Sequence, residues 1–335
     1  MKRLAAEKAE GQTMAIICRL FGKSWQAYYQ HGDTLERQLK TEEIVVQFIR
    51  EIRQLDPGIG GEKLQLIYQR RFGKDYEYMV GRTKMEAIIS KYGLNVRKRI
   101  RKPRTTDSSH GLPTWPNMIK ELIPVRKNQV WVTDITYIPI WLDYEKGTYV
   151  FCYLTLITDY YTKEIIGWSV GESLETKYCI ESLEMALERL VEEDTVDLIL
   201  HSDRGTQFVS YAYTSILLGV EGIRISMTED SDPKDNAVAE RENGIMKNEL
   251  LKDFAFRSIE EVRQAVRRAV EFNNNERPHL SLDNMTPAEA AKQTGRLKKR
   301  WRSYREEWLD SLQVKPGATT LEQQTLDLVE LARQG

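Results

Sequence analysis

Three acidic residues stand where core residues are expected: Asp134 in WVTDITYI, Asp203 in LILHSDRGTQF and Glu240 in DNAVAERENGIMKNEL. An ionised carboxylate is costly to bury unless something pairs with it. Three of them converging on one point repel each other unless a divalent cation sits among them. Carboxylate oxygens are hard ligands and select Mg²⁺ or Mn²⁺ over zinc. Two such ions about 3.5–4 Å apart activate an attacking oxygen and stabilise a leaving one, which in-line phosphodiester hydrolysis and transesterification require. Water or a DNA 3′-hydroxyl is then the nucleophile, and no side chain has to attack. Asp134, Asp203 and Glu240 are therefore the expected catalytic metal ligands, with two Mg²⁺ ions as cofactor and Mn²⁺ as a substitute.

The elements that must position these acids follow from hydrophobic period. Val130, Val132, Thr136, Ile138 and Ile140 alternate along one face of a strand, and Asp134 falls in that same register. Strands are also expected over residues 149–159, 164–170, 196–201 and 222–227. The strand at 196–201 is expected to be a central parallel one on its apolar run Leu198-Ile199-Leu200, and Asp203 lies just past its end. Helices are expected over 174–192, 206–218 and 258–272, with a further long one opening at Ser231-Asp232-Pro233 and holding Glu240. Three strands followed by alternating helices and strands predict a mixed five-stranded sheet of ribonuclease-H-like layout. In open α/β sheets ligands gather outside strand carboxyl ends, where Asp203 lies.

The 36 residues between Asp203 and Glu240 leave room for a helix, a strand and a loop before the chain returns. Asn236, Asn243 and Lys247 share Glu240's helix face at i−4, i+3 and i+7. Lys247 is then a candidate phosphate contact, against the plainer reading of a solvated lysine. Other acids fit lesser roles. Asp159 is expected to cap a turn. Asp230, Asp232 and Asp235 read as caps or solvated charges. Glu242 points away from Glu240, and Glu249 is expected at the surface. His201 suits either an orienting role or a satisfied strand end.

Upstream of the strands the pattern is helical. Residues 14–30 break at Gly22-Lys23-Ser24, with Ser24 as a cap for a second short helix. Residues 41–93 give three helices, the first capped by Thr41 and stopped by Asp56-Pro57-Gly58, the last ending before Gly93. A helix-turn-helix DNA-binding unit and any small helical bundle both fit. Arg97, Lys98, Arg99, Arg101, Lys102 and Arg104 follow without an acid, as a phosphate-contacting arm or a solvated linker. Lys298, Lys299 and Arg300, beside Trp301 and Tyr304, form a second basic stretch, as a DNA contact or an exposed helical tail. The expected organisation is an N-terminal helical segment (1–40), a helix-turn-helix-like region (41–100), a linker (101–127), a catalytic core (128–290) and a tail (291–335).

Composition limits the alternatives. With a net charge of −1 over 335 residues, nucleic-acid binding has to come from local patches. Cys18, Cys152 and Cys179 are scattered, and the four histidines have no zinc spacing, so neither a disulfide framework nor structural zinc is expected. The N-terminus lacks the apolar region of a secretory signal, and no apolar run is long enough for a membrane span. A bacterial cytoplasmic, nucleoid-associated protein is expected.

At these residues the chain resembles the OrfB-type transposases of bacterial insertion sequences, in insertion-sequence family three, with a retroviral-integrase-like core. The stretches NQVWVTDITYI, HSDRGTQF, DNAVAERENGIMKNEL and NNNERPHLSLDNMTPAEA carry the resemblance over most of residues 128–290. CRLFGKSWQAYY and the helical block before GLNVRKR carry it less specifically. The resemblance implies that Asp134, Asp203 and Glu240 are the catalytic triad and that Lys247 contacts element-end DNA. It implies Mg²⁺-dependent 3′-end cleavage of an element in double-stranded DNA and strand transfer into target DNA by a homo-oligomer. It also implies an upstream-frame partner with a helix-turn-helix and a leucine zipper; no heptad run of that kind is visible here. The Asp203–Glu240 spacing is one residue longer than is usual in the family, and the zinc-binding N-terminal domain of retroviral integrases is absent. A catalytically idle DNA-binding regulator and a ribonuclease-H-type nuclease are the alternative functions.

Overall fold

The computed structural model of the chain describes residues 19, 22, 24–73, 79–96, 114–191, 197–229, 233–300 and 303–313. The chain divides into two compact units, one of residues 1–102 with Asn248–Asp253, the other of the remaining residues. Among the described residues no helix is long and apolar enough to cross a membrane.

The first unit is helical: α1 (Trp25–Leu55), α2 (Gly61–Phe72) and α3 (Arg82–Lys91). Its core is Val45, Phe48, Ile49 and Ile52 of α1 against Leu64, Ile67 and Tyr68 of α2 and Met85 and Ile88 of α3. Phe48 meets the Tyr68 ring edge-on at 5.1 Å. Lys91 and the Tyr92 hydroxyl both donate to Glu42, fastening the end of α3 to α1. Gly93 follows α3 at φ +66°, the left-handed conformation expected of a C′ glycine. The chain does stop α1 at Asp56-Pro57-Gly58, but Thr41 is not a cap. It lies inside one continuous helix, and its hydroxyl donates back to the Arg37 carbonyl at 2.8 Å.

The second unit is built on one sheet. Its strands are β1 (Val130–Asp143), β2 (Thr148–Asp159), β3 (Ile165–Gly171), β4 (Leu198–Ser202) and β5 (Ile223–Met227), in the spatial order β3-β2-β1-β4-β5. The first three form an antiparallel meander; β4 and β5 add in parallel beside β1. The crossovers use α4 (Thr176–Leu187) and the pair α5 (Thr206–Val209) and α6 (Tyr211–Leu218). After β5 come a 3₁₀ turn (Pro233–Asn236), α7 (Ala237–Ile245), a π-helical turn (Met246–Leu250), α8 (Ile259–Asn275), α9 (Pro287–Ala290) and α10 (Tyr304–Gln313). This mixed sheet with flanking helices is the ribonuclease-H-like architecture that the pattern of elements predicts.

Period-two alternation splits the core in two. Trp131, Leu198, Leu200, Ile223 and Ile225 pack with Cys179, Leu183 and Ala186 of α4 and with Phe208, Tyr213 and Leu217. Val130, Val132 and Ile199 turn the other way and meet Ala239 of α7 and Ile119. Burying one such aliphatic side chain contributes roughly 1.5–3 kcal/mol, so both helix layers are held by the same strands. At Gly167 an added Cβ would lie 2.1 Å from the Ser182 carbonyl oxygen, so only glycine lets α4 lie this close to β3. Residues before β1 dock on the sheet as well, the Ser226 hydroxyl accepting from the Met118 N–H at 2.9 Å.

Candidate active site

Strand register brings the two aspartates together. β1 and β4 pair in parallel over Val130–Val132 and Ile199–His201, with Val132 opposite His201. Asp134 and Asp203 each lie two residues beyond that pair. Continuing the register sets them side by side, Asp203 just past the carboxyl end of β4 and Asp134 partway along β1 where β4 stops, neighbouring strands being about 4.8 Å apart.

Asp134 is partly exposed as a residue, but its carboxylate is enclosed by protein. Burial, first, and then the charge of Asp203 push its pKa up from 3.8 to about 7, with a smaller contribution from Glu240. Hydrogen bonds oppose that rise. Oδ1 accepts from the Ile135 N–H at 2.8 Å, and Oδ2 accepts from Asn243 Nδ2 at 2.8 Å. Asp203 is fixed through its own turn, Oδ1 accepting the Gly205 N–H at 2.9 Å. A Cβ on Gly205 would lie 3.0 Å from that oxygen, so glycine keeps the carboxylate in place. Arg204 donates from Nε to the Thr228 carbonyl at 2.7 Å, tying the turn to the segment after β5.

Glu240 stands exposed in the first turn of α7. Two asparagines pin that helix to β1. Asn236 donates to the Thr133 carbonyl at 3.0 Å, and Asn243 donates to Asp134. Between them they fix the rotation of α7, and hence the side from which Glu240 approaches the aspartates. Among the described residues no three His, Cys, Asp or Glu side chains lie close enough to hold a metal ion. After burial, the charge of Asp203 acts on Asp134 more than that of Glu240, which stands at the margin.

Lys247 follows on the π-helical turn, its Nζ 3.6 Å from the centre of the Tyr137 ring. A cation over an aromatic face is stabilised by the ring quadrupole. Arg97, Lys98, Arg99, Arg101, Lys102 and Arg104 lie outside the described residues. Lys298 is exposed. Lys299 is ion-paired with Glu306, and Arg300 lies 3.4 Å from Asp283. Such surface pairs are worth about 0–1 kcal/mol.

The remaining acids sort by contact. Asp159 caps its turn as expected: Oδ1 accepts from the Thr162 N–H and hydroxyl, and Oδ2 from the Asn128 N–H. Glu242 points inward, 4.0 Å from His279. Asp235 accepts from the Glu229 N–H, while Asp230 and Asp232 lie outside the described residues. Glu249 is not a bare surface acid, because Lys63 donates to it at 3.2 Å. His201 is a wholly buried strand-end residue with Nδ1 2.8 Å from the Ser226 hydroxyl, but its buried Nε2 is not satisfied. What the sequence reasoning left without a role is the asparagine pair. Its signal was already present, since two amides flank Glu240 on one helix face.

The mixed three-plus-two sheet with its flanking helices lies in the part of the chain that matches known integrase cores. Two models described as "Integrase core domain" match residues 124–233 and 221–287. The "Insertion element IS600 uncharacterized 31 kDa protein" of Shigella sonnei is 31% identical over 81% of this chain and 96% of that protein. The "Transposase for insertion sequence element IS629" of Shigella sonnei is 33% identical over 64% of this chain and 68% of its own length. A chain of the simian T-cell lymphotropic virus intasome superposes with a TM-score of 0.42 at 16% identity, over 73% of this chain and 80% of that one. The chain belongs to the insertion-sequence transposases with an integrase core domain, and its function is DNA transposition.

Proposed function

We propose that Asp134, Asp203 and Glu240 are the catalytic carboxylates of this transposase. In this reading they hold two Mg²⁺ ions for cleavage at element ends and strand transfer into target DNA. The observation that carries the proposal is the Asp134 carboxylate, enclosed beside Asp203 and raised to about pKa 7. Two like charges held together at such cost are what a divalent cation relieves. The all-oxygen donor set fits Mg²⁺ or Mn²⁺. Bound ions would supply Lewis acidity to the attacking and leaving oxygens of the phosphodiester.

The chain's own residues do the rest. Asn243 holds the Asp134 carboxylate and the Gly205 N–H holds that of Asp203, so both are oriented in advance. Glu240, exposed in the first turn of α7, closes the set. Lys247 contacts an element-end phosphate. The Arg97–Arg104 arm and the Lys298–Arg300 stretch contact double-stranded DNA along its backbone, and their affinity comes from counterion release. The active species is an oligomer on DNA, with an upstream-frame helix-turn-helix and zipper partner.

The test is strand transfer of labelled element ends in Mg²⁺, wild type against Glu240→Gln. At least a thousandfold loss is expected, with end binding retained. Unchanged activity would overturn the site assignment. Binding without nicking by wild type, even with the upstream partner present, would favour a regulator instead.

A further inference from the structure

The β1–β2 hairpin runs on past the rest of the sheet. β4 pairs with β1 only as far as Val132, and β3 pairs with β2 only from Tyr153 onward. The paired residues from Ile138–Cys152 to Asp143–Thr148 thus form a two-stranded arm without a third strand. One face of this arm is aromatic. Tyr137, Pro139 and Trp141 lie opposite Tyr153, Phe151 and Tyr149, so alternation puts all six on the same side.

The rings make a continuous path. Tyr137 meets Phe151 at 4.9 Å, Phe151 meets Tyr149 at 5.2 Å, Tyr149 meets Trp141 at 5.2 Å, and Trp141 meets Tyr144 at 5.0 Å, all edge-to-face. Such contacts hold the rings in fixed orientations. Yet Tyr144 is 65% exposed, Tyr149 46% and Phe151 38%. Large rings left this open are an unusual use of apolar surface, and they form one patch rather than scattered residues.

The head of the path adjoins the helix that carries Glu240, although alternation turns Tyr137 and Asp134 to opposite faces of β1. Tyr137 lies three residues beyond Asp134 on β1, and Lys247, on the turn that continues the Glu240 helix, places its ammonium over the Tyr137 ring. The far end is mildly acidic, with Asp143 paired to Lys146 at 3.0 Å and Glu145 beside them. The order is thus a cation at the end of the Glu240 helix, then a run of exposed rings leading away from it.

We propose that this aromatic face stacks the unpaired bases of the DNA strand next to the scissile phosphate. Lys247 neutralises the first phosphate, and Tyr149 and Phe151 supply the stacking surface for the following nucleotides. A cation leading into exposed aromatic rings is the general chemistry of single-strand binding, in which every base offers a π-face and sequence matters little. A duplex end offers no such faces along its length, so the surface selects frayed or tailed ends over blunt ones. The inference rests on the reading of Asp134, Asp203 and Glu240 as the active site.

The test uses the full chain in EDTA, with a duplex carrying a six-nucleotide single-stranded tail that holds 2-aminopurine, and the same duplex blunt. Wild type is expected to bind the tailed duplex about tenfold more tightly and to quench 2-aminopurine. Tyr149→Ala/Phe151→Ala is expected to remove the preference and the quenching while leaving blunt-duplex affinity within about twofold. Phe151→Tyr keeps both; Phe151→Leu, apolar but without a π-face, loses the quenching. Circular dichroism confirms that each variant is folded.

Equal affinity for the two duplexes in wild type, or a tail preference that survives the double alanine change, would overturn the inference. So would a fall in sedimenting mass of the double variant without DNA, which would make this face an interface between copies. If Glu240→Gln abolishes end cleavage while tail binding ignores Tyr149 and Phe151, the stacking idea fails and the active site stands. If Glu240→Gln cleaves normally, the active-site reading fails first, and the stacking idea loses its support with it.

Discussion

Replacing Asp134 with asparagine should make the metal-free protein more stable while abolishing activity. The folded carboxyl titrates at about 7, the unfolded one near 3.8. Between those values the native state holds a proton that the unfolded state has released. Stability from this group is therefore full below about pH 4 and is lost as pH rises through 7. At about 1.36 kcal/mol per pH unit, the loss approaches roughly 4 kcal/mol above pH 8. Asparagine removes the charge and keeps one carbonyl acceptor. It cannot satisfy both the Asn243 amide and the Ile135 N–H as the carboxylate does, which costs about 1 kcal/mol.

The net gain at pH 8 in EDTA is then about 2–3 kcal/mol, or roughly 5–10 °C in the melting of the sheet unit. At pH 4 the gain should vanish. Millimolar Mg²⁺ should raise the wild-type midpoint at pH 8 by binding the native state, and leave Asp134→Asn unmoved. Thermal or urea unfolding at the two pH values, with and without Mg²⁺, measures all four states. A variant no more stable than wild type at pH 8 in EDTA would refute the claim that Asp134 is held against its own charge.

Two further outcomes follow from neighbouring groups. Asn243→Ala removes a donor to the Asp134 carboxylate, and losing such support should weaken Mg²⁺ binding and strand transfer by roughly 10- to 100-fold; calorimetric titration with Mg²⁺ checks it, and an unchanged affinity refutes it. His201 is buried neutral, with its pKa lowered from 6.5 to about 4 by burial, so its contribution is present above about pH 6.5 and lost as pH falls toward 4. That slope, about 3 kcal/mol in all at 1.36 kcal/mol per pH unit, opposes the Asp134 slope over the same range. It should emerge in urea midpoints of the Asp134→Asn background and flatten when His201→Asn is added; a slope that survives the second change would place it on another group.

Which features were legible depends on the range over which they are decided. The strands were readable because alternation and the apolar run Leu198–Leu200 are local, and each begins or ends within two residues of its expected position. Helix starts were less so. Thr41 has the chemistry of a cap, but its hydroxyl is satisfied just as well by the Arg37 carbonyl one turn back, and α1 runs through it. The expected helix over 206–218 breaks at Ser210, whose hydroxyl accepts from the Tyr213 N–H and starts a second helix. The pairing of Lys299 with Glu306 and of Arg300 with Asp283 was not legible, because charge runs do not reveal which acids fold back onto them.

The site divides along the same line. Residue type alone singles out Asp134 and Asp203, but their adjacency needs β4 to lie beside β1 in parallel with Val132 opposite His201. No local pattern specifies that order of strands. The asparagines are the converse case. Asn236 and Asn243 were visibly on Glu240's face, yet a helix face has no meaning until the strand it lies on is known. Once β1 is that strand, the two amides reach successive residues of it, the Thr133 carbonyl and the Asp134 carboxylate. They therefore fix the rotation of α7 at two points about two turns apart, and a helix held at two points cannot swing its intervening residue away. The placement of Glu240 is thus encoded less in the glutamate than in the two amides on either side of it.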